Sequence, residues 1–241
     1  MSVSTAPAAG QARAPAPARL ANKLNWLRAG VLGSNDGIVS TAGIVMGVAG
    51  ATADSNTLLI AGLAGLVAGA LSMAGGEYVS VSSQRDTELA AVAEVQSTLC
   101  ESPDMALAAL AQAYRDKGLE PDLADRVAQA LTDHDAVSAQ VEAHLGISAD
   151  QPTSPWQAAR ASLLAFVIGA LVPLSAMVMA PPASRVWCTM AAVVVALVLT
   201  GAVSARLGRA SVVVGIARNV AVGLLTMGLT YGIGHLIGVG L

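Results

Sequence analysis

Five apolar runs of transmembrane length constrain this chain more than any other feature. They cover roughly 29–50, 58–80, 157–180, 186–205 and 211–239. A helix needs about 20 apolar residues to cross about 30 Å of hydrocarbon. Only helices and closed barrels satisfy their backbone groups in lipid, and these runs are too long and unbroken for barrel strands. Gly and Ala recur within them, as where membrane helices pack closely. Charged residues make up 12% of the chain. Soluble domains carry about 25%, so the 241 residues do not read as one or two soluble domains. The expected fold is an all-α integral membrane protein. It has five transmembrane helices and a small cytoplasmic helical insert between helices 2 and 3.

Residues 1–23 are rich in Ala and Pro and lack a long apolar core. They read as a disordered tail rather than a signal peptide, since no apolar stretch follows Arg13 and Arg19 before the first long run. Residues 24–83 hold helices 1 and 2, 84–155 the insert, and 156–241 helices 3 to 5. Basic residues set the orientation. Arg13, Arg19, Lys23 and Arg28 precede the first run, Arg85 follows the second, and Arg160 starts the third. Arg206 and Arg209 separate the last two runs, and only Arg185 falls on the opposite side. The positive-inside rule then puts the N-terminus and the insert in the cytoplasm.

The insert carries thirteen of the sixteen acidic residues. Gln84 to Leu99 lacks breakers and continues the second helix. Ser102, Pro103 and Asp104 supply an N-cap, a proline at the first position and an acid in the first turn. Gly118 stops that helix, Pro121 opens another, and Gly146 closes the last. Three or four short helices follow from this punctuation.

Of the sixteen acids, only Asp36 and Glu77 lie within predicted spans. Asp at the centre of a membrane helix costs at least ~2.5–3.5 kcal/mol, so such a residue marks a pathway by default. Asp36 sits about eight residues, or ~12 Å, inside its helix. Glu77 lies near the cytoplasmic end of the second helix. Gly65, Gly69, Met73 and Glu77 recur every four residues and share one helix stripe. Asp36 and Ser40 are also four apart. Carboxylate oxygen suits hard divalent cations, and a thioether shifts preference toward softer transition metals. We therefore expect Asp36, Met73 and Glu77 to line a path for a divalent transition metal.

Blander readings compete at each position. Glu77 near an interface can snorkel, Met73 alone is ordinary packing, and Asp36 can pair with a helix terminus. His134, His144 and His235 have no metal-pair spacing, and Cys100 and Cys188 suggest neither a disulfide framework nor a zinc site. A net charge of −3 gives no general case for nucleic-acid binding. A membrane-anchored metal sensor or binding protein is the main rival, but an anchor needs no intramembrane carboxylates. An intramembrane enzyme is disfavoured because no Ser-His or Cys-His pair sits at matching depth.

Two motifs carry a family resemblance. Asn35-Asp36-Gly37-Ile38-Val39-Ser40 and the long stretch from Ala70 through Met73, Glu77 and Tyr78 to Asp86 strongly resemble the vacuolar iron transporter family. The segments Pro155 to Ala159 and Gly169 to Pro173 resemble its third helix. The resemblance spans about residues 24–240, and we read the chain as a bacterial member. It implies a homodimer with five helices per subunit and a pathway between the subunits. It implies export of Fe2+ and often Mn2+ from the cytosol in exchange for protons, with these ions as substrates and no cofactor. Asp36 matches the first-helix carboxylate, and Met73 and Glu77 match second-helix pathway positions. The membrane would be the plasma membrane in a bacterium and the vacuolar membrane in a eukaryote. The family insert commonly carries a dense set of metal-binding glutamates. Here Glu94, Glu101 and Asp104 remain, with Glu142 as a candidate partner from the last insert helix and Cys100 and Met105 as soft donors. This implies weaker or altered metal loading of the insert.

Overall fold

The computed structural model describes residues 16–146 and 154–240. Among the described residues all seven elements are helices: α1 (Ala16–Ala51), α2 (Ser55–Glu101), α3 (Pro103–Asp116), α4 (Pro121–Leu145), α5 (Pro155–Met179), α6 (Arg185–Leu207) and α7 (Val212–Gly240). Five of them are long and apolar enough to cross a membrane: α1 from Ala29, α2, α5, α6 and α7. Of the expected tail, residues 1–15 lie outside the described residues. The remainder differs from expectation, since α1 already starts at Ala16 with Pro17 in its first turn, where a missing N–H costs nothing.

Close backbone approach helps join α1 to α5 and α7. A Cβ added at Gly37 would strike the Phe166 carbonyl, and one at Gly169 would strike the Ser34 carbonyl. Further along α1, a Cβ at Gly234 of α7 would meet the Gly47 carbonyl. Small residues permit this approach, and dispersion between backbones replaces the hydrophobic drive that lipid removes. The membrane core gathers Ile38, Val45 and Met46 of α1 with Phe166, Leu174 and Met177 of α5, Leu197 of α6 and Met227 of α7.

The outward faces are apolar. Only 11% of the most apolar window of α7 is buried, and 22% of that of α2. Ile60, Leu71, Ile168 and Leu236 stand exposed. Water would oppose so much exposed apolar surface; lipid accommodates it.

At one end of the bundle, Arg185 is 5% exposed and donates to the Ala53 carbonyl (3.3 Å) and to Ser55 Oγ (3.1 Å). The basic residue expected alone on its side thus ties the α1–α2 connection to the start of α6. Beside it, Asp54 caps α2 by accepting from the Thr57 N–H and hydroxyl, each at 2.7 Å. Those bonds, the hydroxyl first, hold the Asp54 carboxyl below its usual range.

The 47 residues of α2 would reach ~70 Å at 1.5 Å per residue, more than twice the hydrocarbon thickness. Its distal half therefore stands clear of the spans and meets α3 and α4. Their small core is Leu110, Ala111, Ala128 and Ala139, flanked by Leu107, Tyr114 and Leu131. The buried Gln140 amide donates to the Ala106 carbonyl, and Arg115 pairs with Asp125. The expected breakers act as read: Pro103 and Pro121 sit in first turns, and Gly118 and Gly146 take positive φ. One break was not expected. At Asp135 the backbone leaves the helical region (φ −159°, ψ 94°). Its carboxylate caps the next turn by accepting from the Ser138 N–H (3.0 Å) and hydroxyl (2.8 Å).

Candidate functional site

A groove of about 570 Å³ runs along the first two spans. From α1 it takes Leu32, Asp36, Ser40 and Ile44, spaced by four. From α2 it takes the stripe Gly65, Gly69, Met73 and Glu77, with Phe166 of α5 as the third wall. The three pathway candidates of the sequence, Asp36, Met73 and Glu77, thus share one space. A four-residue step is a little over one helical turn, so each set stays on one face of its helix.

The antiparallel register of α1 and α2 sets the depths. Ile44 Cγ1 lies 3.6 Å from where a Gly65 Cβ would stand, and Val45 Cγ1 lies 2.9 Å from that of Gly62. Stepping four residues along each helix pairs Ser40 with Gly69, Asp36 with Met73, and Leu32 with Glu77. Carboxylate and thioether are therefore level, and Glu77 lies one step, ~6 Å, nearer the insert.

Asp36 is half-buried, as are Ser40, Met73 and Glu77. The Ser40 hydroxyl donates to Asp36 Oδ1 at 2.6 Å. No other donor among the described residues reaches that carboxylate. Gly69 carries no side chain, and the ring of Phe166 fills the place of one: its Cε1 lies 2.8 Å from the position a Cβ would take. Next to Glu77, Tyr78 meets Trp156 at the start of α5, ring centroids 4.8 Å apart. Trp156 is largely exposed. Paired amphipathic aromatics of this kind sit at a membrane–water boundary, which makes the Glu77 end the groove's mouth.

Phe166 is a groove residue that the sequence does not single out. It is the chain's one phenylalanine, and that rarity is the only local signal it offers. Ile44, Leu32 and Ser72 also line the groove and were not singled out.

The insert is arranged differently. Glu94, Glu101, Asp104 and Glu142 are all exposed. Glu101 accepts from Ser97 Oγ at 2.9 Å. Asp104 lies in the first turn of α3, where an acid complements the helix dipole. Among the described residues, no three His, Cys, Asp or Glu side chains converge to hold an ion. Cys100 and Cys188 are free and exposed.

Fold and groove together define a multi-pass helical membrane protein that keeps a carboxylate, a hydroxyl and a thioether between its first two spans. A family model described as the VIT family matches residues 27–235, and the chain belongs to that family, one of transporters rather than enzymes. It is 38% identical over 215 residues to a protein named "Vacuolar iron transporter" from Acanthamoeba castellanii, covering 88% of this chain and 78% of the relative. It is 39% identical over 217 residues to "Vacuolar iron transporter homolog 1" of Arabidopsis thaliana, covering 90% and 85%. With "Vacuolar iron transporter homolog 5" of Oryza sativa subsp. japonica the identity is 40% over 217 residues, covering 89% and 81%.

Proposed function

We propose that this protein moves Fe2+ and Mn2+ out of the cytosol in exchange for protons, contributing to iron and manganese homeostasis. The observation that carries this is the groove, in which Asp36 and Met73 are level and Glu77 guards the mouth. A carboxylate and a thioether together favour a divalent transition metal over Mg2+, which demands a shell of hard oxygens. The names of the relatives point to iron. Manganese comes from the family resemblance rather than from the ligand set, since Mn2+ is met mainly by oxygen ligands.

Proton coupling rests on Asp36. A carboxylate binds a cation when ionised and releases it when protonated, so one group serves both ions on alternate halves of a cycle. Glu77 recruits the cation at the boundary, and Met73 selects it.

The N-terminus and insert face the cytosol in this reading, as the basic residues require. The working unit is a homodimer. In a single chain the groove opens outward from α1 and α2, and an ionised carboxylate facing lipid is expensive. A second copy covers it and completes the path. The membrane is the plasma membrane in a bacterium and the vacuolar membrane in a eukaryote. The insert acids Glu94, Glu101, Asp104 and Glu142 contribute weak metal loading at most in one chain. Uptake of Fe2+ and Mn2+ by proteoliposomes above that of empty vesicles tests the proposal. Absence of uptake, with insertion verified, refutes it.

A further inference from the structure

We propose that Ser40 is the positioning residue that makes Asp36 selective for transition metals over Ca2+. The inference rests on the transport reading above and deepens it. Ser40 lies on the same face of α1 as Asp36, one step deeper in the groove, and its hydroxyl donates to Asp36 Oδ1 at 2.6 Å. At that distance the bond to an ionised acceptor is strong.

The bond has two consequences. First, it holds the carboxylate in one orientation over the groove, so an arriving ion meets a preset ligand. Second, it engages one of the two oxygens. Oδ2 accepts no hydrogen bond among the described residues and is the oxygen with both lone pairs open to an ion. Ca2+ takes six to eight oxygens and often uses both oxygens of a carboxylate. A carboxylate half-engaged by serine serves it poorly. A transition metal takes one carboxylate oxygen readily and gains from the thioether of Met73 at the same level.

The register supports this division. The α2 residue level with Ser40 is Gly69, whose side-chain space is filled by the apolar ring of Phe166. An ion displaced one step deeper therefore finds no side-chain oxygen at position 69 of α2.

The experiment measures Fe2+ and Mn2+ uptake by proteoliposomes, with Ca2+ as competitor, for wild type, Ser40→Ala, Ser40→Thr and Asp36→Ala. Ser40→Ala is expected to raise the half-saturating Fe2+ concentration on the order of ten-fold, the scale of one hydrogen bond to a charged group. The maximal rate stays within about two-fold, and Ca2+ becomes an effective competitor. Ser40→Thr keeps a hydroxyl and restores both properties, and an unchanged melting temperature of Ser40→Ala separates its effect from misfolding. Unchanged half-saturation and Ca2+ competition in Ser40→Ala overturn the inference. So does a fall in maximal rate alone, or a failure of threonine to restore selectivity. If wild type shows no uptake above empty vesicles, the transport reading itself fails; if wild type and Asp36→Ala transport equally, the role given to Asp36 fails; if Asp36→Ala is dead and Ser40→Ala behaves as wild type, only the serine inference does.

Discussion

The ring of Phe166 on α5 occupies the space that a side chain at Gly69 on α2 would fill. Phe166 is 1% exposed and belongs to the membrane core, yet it also walls the groove. Core packing and groove shape are therefore one structure. Truncation to alanine opens a cavity of the kind that costs about 3–5 kcal/mol in protein cores. We expect Phe166→Ala to lower the melting temperature in detergent markedly and to depress transport, with Phe166→Leu intermediate. A full-length Phe166→Ala variant as stable as wild type would show that the ring is not packed against Gly69.

Gly69 and Gly37 separate two kinds of close approach. At Gly69 the neighbour is the tip of a side chain that can shift without moving the backbone, and a methyl there costs about 1–3 kcal/mol by overpacking. At Gly37 the neighbour is the Phe166 backbone carbonyl, which cannot move without parting α1 from α5. Gly37→Ala is expected to be the more damaging change in a thermal-melt comparison. The reverse order would contradict the backbone crossing described here.

Arg185 tests the tie at the opposite end from the mouth. It is buried and holds Ala53 and Ser55 through both terminal nitrogens. Lysine offers one point charge in place of a planar fork. Arg185→Lys is expected to destabilise the protein by about 1–3 kcal/mol, the cost of leaving buried partners unmet. Proteolysis at the α1–α2 connection should become faster than in wild type. An unchanged cleavage rate would show that the guanidinium does not restrain this loop.

Asp135 gives a pH prediction outside the spans. Hydrogen bonds from the Ser138 N–H and then the Ser138 hydroxyl hold its carboxyl below the usual value of 3.8. A depressed folded value means the cap contributes stability above the unfolded pKa and loses it as pH falls through the folded one. The contribution is therefore intact at neutral pH and fades below pH 3.8. Because the site is exposed, about 0.5–1 kcal/mol is expected for Asp135→Ala at neutral pH, the low end for a lost cap. Hydrogen exchange of the α4 amides following Asp135 in the full chain measures this. Equal protection in both proteins at neutral pH would count against the cap.

Much of this architecture is legible in the residues because membrane helices announce themselves by length. Lipid leaves no alternative for runs such as 157–180 and 186–205. The insert is legible through punctuation, since Pro103, Gly118, Pro121 and Gly146 are tolerated at helix ends and costly inside. The groove is half legible. Asp36 and Ser40 share a face by four-residue spacing, as do Met73 and Glu77, so each helix displays its own side of the site. That the two sides face each other, and that Asp36 is level with Met73, depends on the α1–α2 register, which packing decides. Phe166 was out of reach because tertiary packing brings it to Gly69 from a helix that begins at Pro155. Asp135 escaped notice because its break uses a carboxylate cap in place of glycine or proline.

The central claim is that an intramembrane carboxylate carries both metal and proton. The most direct measurement is Fe2+ and Mn2+ flux into proteoliposomes, with and without a pH gradient, for wild type and Asp36→Ala. Wild-type flux is expected to rise with a proton gradient opposing the metal movement, and that flux is expected to be lost in the variant while both proteins insert equally. Undiminished, gradient-dependent flux through Asp36→Ala would contradict it.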